Sequence, residues 1–175
     1  YVRRYYPNAK VVAGKYAEYI FSRDSAKKIM NEMDLKYAKK CGISEYDSLV
    51  EELSVDIACE DKDVIKAGEL TFEVIELPGH TKCSVGYYNA ENRLLLACET
   101  IGVYGGNGII MPSFLTSYEA TLNSIRRVKE LDIDRIVSPH YGVLTSEETA
   151  YFFENMEIKT IEFVDSIISG INDNL

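Results

Sequence analysis

At 175 residues and 46% hydrophobic side chains the chain has the size of one globular domain, and no apolar run approaches the ~20 residues a membrane-spanning helix needs. Lys+Arg total 19 against 28 for Asp+Glu, giving a net charge of -9 and a pI near 4.8. That balance argues against a nucleic-acid partner, which needs clustered basic surface to displace phosphate counterions, so a soluble protein touching neither nucleic acid nor membrane is expected.

Pro7-Asn8 is a turn signal ahead of Ala9-Lys10-Val11-Val12-Ala13, a short apolar strand that Gly14 ends. From about residue 22 to 40, Ala26, Ile29, Met30, Met33 and Tyr37 recur at helical spacing, and Gly42 supplies a stop. The cationic stretches Ala26-Lys27-Lys28 and Tyr37-Ala38-Lys39-Lys40 read as the solvated face of that helix. Residues 43 to 60 are acidic and mixed, which suits a connecting arm or a lid.

From Gly68 to Leu77 the residues alternate as in a half-buried strand, with Leu70, Phe72 and Val74 on one face and Thr71, Glu73 and Ile75 on the other. Tyr87-Tyr88, the turn Asn89 to Asn92 and Arg93 to Ala97 predict an antiparallel hairpin that delivers Glu99 at its far end. Thr116 and Glu119 have capping-box spacing, followed by a helix with Tyr118, Leu122, Ile125, Val128 and Leu131 on one stripe. Arg135-Ile136-Val137 is the next strand and ends in Ser138-Pro139-His140. A second capping box at Thr145 to Glu148 opens a last helix that runs to Gly170, with Phe152, Met156, Phe163 and Ile167 pointing one way. Alternating strands and helices, with polar groups on the loops at one sheet edge, give an α/β-like pattern, in the α/β or α+β class.

The glycine-rich segment 102 to 108 lacks the lysine and the Gly-Lys-Ser/Thr ending of a phosphate loop and reads as a flexible loop beside the site. Ser84 and Ser138 lie near histidines but in no nucleophile-elbow pattern. Cys41, Cys59, Cys83 and Cys98 have no paired spacing, which suits a reducing, cytoplasmic compartment. The two histidines stand out. His80 follows a strand in Leu77-Pro78-Gly79-His80-Thr81, His140 follows another in Val137-Ser138-Pro139-His140-Tyr141-Gly142, and Glu99 ends a third in Leu94-Leu95-Leu96-Ala97-Cys98-Glu99-Thr100. Two imidazoles and a carboxylate beyond three apolar runs look like the ligands of a metal site.

These three motifs, in this order and at this separation, resemble the second half of the metallo-β-lactamase superfamily. The resemblance runs from about Gly68 to the C terminus and is compatible with residues 9 to 40. It implies an αββα sandwich with two metal ions, usually zinc, at the sheet edges, and a metal-bridging hydroxide that attacks a carbonyl or phosphoryl centre of a small-molecule substrate. His80 would then ligate the first metal, Glu99 would bridge both, and His140 would ligate the second. A bound divalent ion lowers the pKa of water to about 7, which makes hydroxide available at neutral pH.

This chain departs from the family pattern. The His-x-His-x-Asp-His signature is absent, and with two histidines in total there is nowhere for it to be. Glu99 stands where Asp is commoner, Cys83 where glycine is, and Tyr141 directly follows the last histidine. Because the sequence opens on Tyr1 rather than Met, with no charged and apolar leader, residues 1 to 175 are expected to be a single domain that is the C-terminal portion of a longer metallohydrolase, inactive alone and weak in metal binding. An exposed apolar sheet face would then drive homo-oligomerisation. Two alternatives stay open: a diiron oxidoreductase domain of the flavodiiron type, with which Glu99 and iron are compatible, and a non-catalytic fragment whose histidines only cap turns. Tyr104, Met111 and Phe114 hint at a partly apolar pocket but read more simply as packing residues.

Overall fold

The computed structural model describes residues 2–172, so Tyr1, on which the sequence opens, lies outside the described residues. The chain divides into two compact units, Tyr1–Cys59 and Glu60–Leu175.

The first unit runs α1 (Val2–Tyr5), β1 (Val12–Gly14), α2 (Lys15–Phe21), α3 (Asp24–Lys40), a 3₁₀ turn at Val50–Glu52 and β2 (Ile57–Cys59). β1 and β2 pair in parallel with Ala13 opposite Ala58, so the acidic stretch expected to be an arm or lid ends as a strand of the fold. Asp56 ties the unit together: its carboxylate accepts the Val11 N–H and pairs with Arg3, each at 2.6 Å. Those two partners hold its carboxyl below the usual carboxylate range. α3 forms where the spacing predicts it, but it buries only Ala38, and Ile29, Met33 and Tyr37 are exposed. Lys27 leaves the expected solvated face, tucking its ammonium 3.2 Å from Glu51 with 17% of its side chain exposed.

The second unit is built on a six-stranded sheet of order β10-β9-β6-β5-β4-β3. The strands are β3 (Val64–Ala67), β4 (Leu70–Glu76), β5 (Val85–Asn89), β6 (Leu94–Leu96), β9 (Arg135–Ser138) and β10 (Gly142–Val143). β7 (Val103–Tyr104) and β8 (Ile110–Met111) form a separate hairpin, and α4 (Tyr118–Lys129) and α5 (Ser146–Asn172) complete the unit. All neighbours are antiparallel except β6 and β9, which are parallel. β4, β6 and β9 therefore point the same way, and the loops after them leave one edge of the sheet.

One sheet face packs against helices. Ile75, Leu95 and Ile136 join Ile125 and Val128 of α4 and Phe152 and Met156 of α5 in a single core. Fully burying a side chain of this size contributes about 1.5–3 kcal/mol relative to leaving it exposed. The opposite face carries the register row Val74, Tyr87, Leu96, Val137 and Val143, which grades from fully buried at Val74 to 62% exposed at Val143.

Helix starts follow side-chain chemistry. At α5 the capping box closes as expected: Thr145 N–H donates to Glu148 Oε2 at 2.9 Å and Glu148 N–H to Thr145 Oγ1 at 3.2 Å. At α4 the cap is Ser117, whose Oγ accepts the Ala120 N–H at 3.1 Å. Thr116, expected to cap, donates instead to the Gly79 carbonyl at 2.9 Å.

That carbonyl also accepts the N–H groups of Leu115, Thr116 and Ser117, so the Gly79 turn is bonded to the start of α4. Gly79 has φ 143, and a Cβ there would lie 2.1 Å from Thr121 Oγ1 and 2.8 Å from Thr121 Cα. Gly79→Ala is expected to cost about 3 kcal/mol or more through overlap and backbone strain. Gly170→Ala, where an added methyl meets nothing within 4 Å, is expected to stabilise by about 0.5–1 kcal/mol. Urea unfolding of the two variants against the parent checks both signs.

Candidate metal centre

Sheet direction brings the three residues to one edge. His80 follows β4, Glu99 opens the 3₁₀ turn Glu99–Ile101 after β6, and His140 follows β9. The turns are cross-linked: the His80 N–H donates to Thr100 Oγ1 at 3.2 Å, and Ala97 N–H donates to the Val137 carbonyl at 3.0 Å.

His140 and Glu99 meet directly, with Nε2 3.2 Å from Oε1. The imidazole is 71% exposed and the carboxylate 31%. His140 sits in the left-handed region at φ 63, which is uncommon for a residue with a side chain. Its neighbour in the chain braces that geometry. The Tyr141 ring packs edge-on to Tyr104 with centroids 4.9 Å apart, and its hydroxyl lies 3.3 Å from Glu148 Oε1. Tyr104 is buried, and its N–H donates to Ser138 Oγ at 3.2 Å, two residues before His140.

The glycine-rich segment expected to be a flexible loop is thus the β7–β8 hairpin, held by tyrosines. Tyr104 Oη accepts the Gly108 N–H at 3.2 Å, Tyr151 Oη donates to the Gly108 carbonyl at 3.1 Å, and a Cβ on Gly106 would meet the Tyr141 ring at 3.3 Å. The three residues considered for an apolar pocket go to different places. Tyr104 joins the core, Met111 is half exposed, and Phe114 packs on Tyr118 and Phe163.

His80 is half-buried, and its Nδ1 lies 2.9 Å from Ser113 Oγ. If Nδ1 carries the proton toward Ser113, Nε2 keeps the free lone pair that a metal needs. Ser113 has no motif in the sequence; only the return of the chain from β8 toward the Gly79 turn delivers it. Cys83 Sγ lies 3.3 Å from Thr81 Oγ1. Burial pushes the Cys98 thiol up from its ordinary value.

The donors do not add up to a complete metal site. Among the described residues no group of three or more His, Cys, Asp or Glu side chains is placed to hold an ion. His140 and Glu99 are two donors, whereas catalytic zinc usually has three protein ligands. Also among the described residues, no helix is long and apolar enough to cross a membrane.

The family model of the metallo-beta-lactamase superfamily matches residues 1–140, and the chain belongs to that superfamily. It is 28% identical over 102 residues to a hydroxyacylglutathione hydrolase of Rhodopseudomonas palustris, a match covering 58% of this chain and 38% of that protein. The chain thus spans well under half the length of the curated relatives it matches. Among solved structures, an archaeal superfamily protein from Sulfolobus tokodaii aligns with TM-score 0.65 and 20% identity over 87% of this chain and 59% of its own. A metallo-beta-lactamase family protein from Thermus thermophilus aligns at 0.58 and 15%, over 92% and 55%. The flavodiiron protein of Giardia intestinalis aligns at 0.52 and 16%, over 91% and 38%. At these identities the structures share the fold, a mixed α/β sandwich with a sheet flanked by helices.

Glu148 links the pair to the fold and gives a pH test. The Thr145 N–H leads the contacts that hold its carboxyl below the usual carboxylate range, with the Thr145 and Tyr141 hydroxyls adding to it. A depressed folded pKa contributes stability in full above the unfolded value and loses it as pH falls through the folded value. Glu148→Gln is therefore expected to melt below the parent at pH 7, with the gap closing as pH falls under about 4. Thermal unfolding across that range measures it.

Proposed function

We propose that this chain supplies part of the active site of a metal-dependent hydrolase acting on an ester-like bond, with His80, Glu99 and His140 as its metal donors. The observation that carries the reading is the convergence of β4, β6 and β9 on one edge, with Glu99 and His140 in contact there. Acyl thioesters are the favoured substrate class, because the curated relatives carry the name hydroxyacylglutathione hydrolase. Zinc suits the imidazole and carboxylate donors, and iron is the alternative.

The remaining donors must come from outside these residues, since the chain has two histidines and neither joins a three-donor cluster among the described residues. No catalytic step is assigned to the chain alone. Its own residues orient donors: Ser113 holds His80, and the Tyr141, Tyr104 and Glu148 contacts hold the turn that carries His140. A flavodiiron-type oxidoreductase shares the fold, and the metal that co-purifies with a protein holding the full donor set separates the two readings.

In such a protein, His140→Ala and Glu99→Ala are each expected to lower kcat/KM on an S-acyl glutathione by about 100-fold or more while circular dichroism stays unchanged. The isolated chain is expected to show no turnover on thioester, ester or phosphodiester substrates. Metal-dependent turnover by the isolated chain, or full activity in either variant, would overturn the assignment.

A further inference from the structure

Helix α5 is 27 residues long, about 40 Å at 1.5 Å per residue. Its first half is ordinary core, with Thr149, Phe152, Met156 and Thr160 each at most 2% exposed. The same face continues past Thr160 with no change of pattern: Phe163, Val164, Ile167, Ile168 and Ile171 fall on one stripe at about 100° per residue. There the cover ends. Phe163 and Ile167 are 45% exposed, Ile168 51% and Ile171 56%, and Ile161 beside them is 36% exposed.

We propose that this overhanging face is a self-association surface, and that a second copy of the chain covers it in an antiparallel pair of α5 helices about a two-fold axis. Three features favour a second copy. First, Val164, Ile167, Ile168 and Ile171 stand three and four residues apart, the seam of two helices packed side by side, and each copy carries the complement of the other. Second, the pairing buries no charge. The charged residues along this stretch, Lys159, Glu162 and Asp165, lie about 110–170° around the helix from the centre of the stripe. Lys159 and Glu162 already pair at 2.8 Å. An acidic or basic partner would find no complement on the stripe.

Third, the area reaches the edge of what a pair needs. Phe163, Ile167, Ile168 and Ile171, with Ile161 beside them, offer roughly 400–500 Å² per copy, or about 800–1,000 Å² for a pair, at the lower bound for a specific interface. A pair of that size sits at the weak, transient end of interfaces. Each copy carries net charge -9, so salt that screens the mutual repulsion tightens the pair. The inference is independent of the metal centre.

Sedimentation equilibrium of the 175-residue chain over about 1–300 µM tests it. A monomer–dimer equilibrium is expected, strengthened by raising salt from about 0.05 to about 0.5 M. Ile167→Glu with Ile171→Glu is expected to weaken association at least tenfold, with the melting temperature unchanged because both side chains are half exposed in the monomer. Met33→Glu with Tyr37→Glu, on the exposed stripe of α3, is expected to leave the equilibrium as it was. A monomer throughout the range overturns the proposal. So does a dimer that survives the α5 substitutions, or one lost only with the α3 pair.

Discussion

The fold of the larger unit hangs on the approach of one backbone to one helix. At Gly79 the turn after β4 comes so close to α4 that a single methyl would overlap Thr121. The Gly79 carbonyl takes the N–H groups of Leu115, Thr116 and Ser117, which precede α4, while Ser124 Oγ donates to the Pro78 carbonyl at 2.8 Å. Backbone groups at a helix start otherwise need water or a side chain, so the turn and the helix satisfy each other. The docked turn places His80, and the segment bonded to it carries Ser113 to the imidazole. The sheet does the rest: with β4, β6 and β9 aligned, the turns beyond these strands gather at one edge.

The strand-end placement of His80, Glu99 and His140 was legible in the sequence, because apolar runs ending in turn residues mark strand ends whatever the tertiary context. The contact between Glu99 and His140 needed the strand order, since β6 and β9 are neighbours only through a parallel crossover. Ser113 and the tyrosine clamp were not legible. Their partners lie 33 residues away for Ser113 and His80, 43 for Tyr151 and Gly108, and 34 for Tyr104 and Ser138. No local period encodes such pairings. The glycine-rich stretch misled for the same reason: glycines that suggest mobility are there to admit the rings of Tyr141 and Tyr151.

Periodicity located helices better than it assigned their faces. It found α3 and α5, yet Ile29, Met33 and Tyr37 of α3 are exposed, as are Phe163 and Ile167 of α5. A 3.6-residue pattern reports that a face is apolar, and only the neighbours decide whether it is covered. Several short elements escaped. α2 buries only Ala17, β3 pairs through its backbone with just Ile65 even half-buried, and β10 is two residues long. The caps show how close the competition is: Thr116 and Ser117 both offer a hydroxyl, and Ser117 caps because Thr116 is engaged by Gly79.

Family membership and donor inventory pull in different directions, and that tension defines the protein. Superfamily membership makes a metal centre the natural proposal for the edge that carries His80, Glu99 and His140, while the two donors in contact fall short of the three that catalytic zinc usually has. Calorimetric titration of zinc into the metal-free 175-residue chain at pH 7 tests this account most directly. It predicts no stoichiometric site tighter than about 1 µM and the same weak heat in His140→Ala. One or two zinc ions bound per chain below that Kd, lost on His140→Ala, would contradict it.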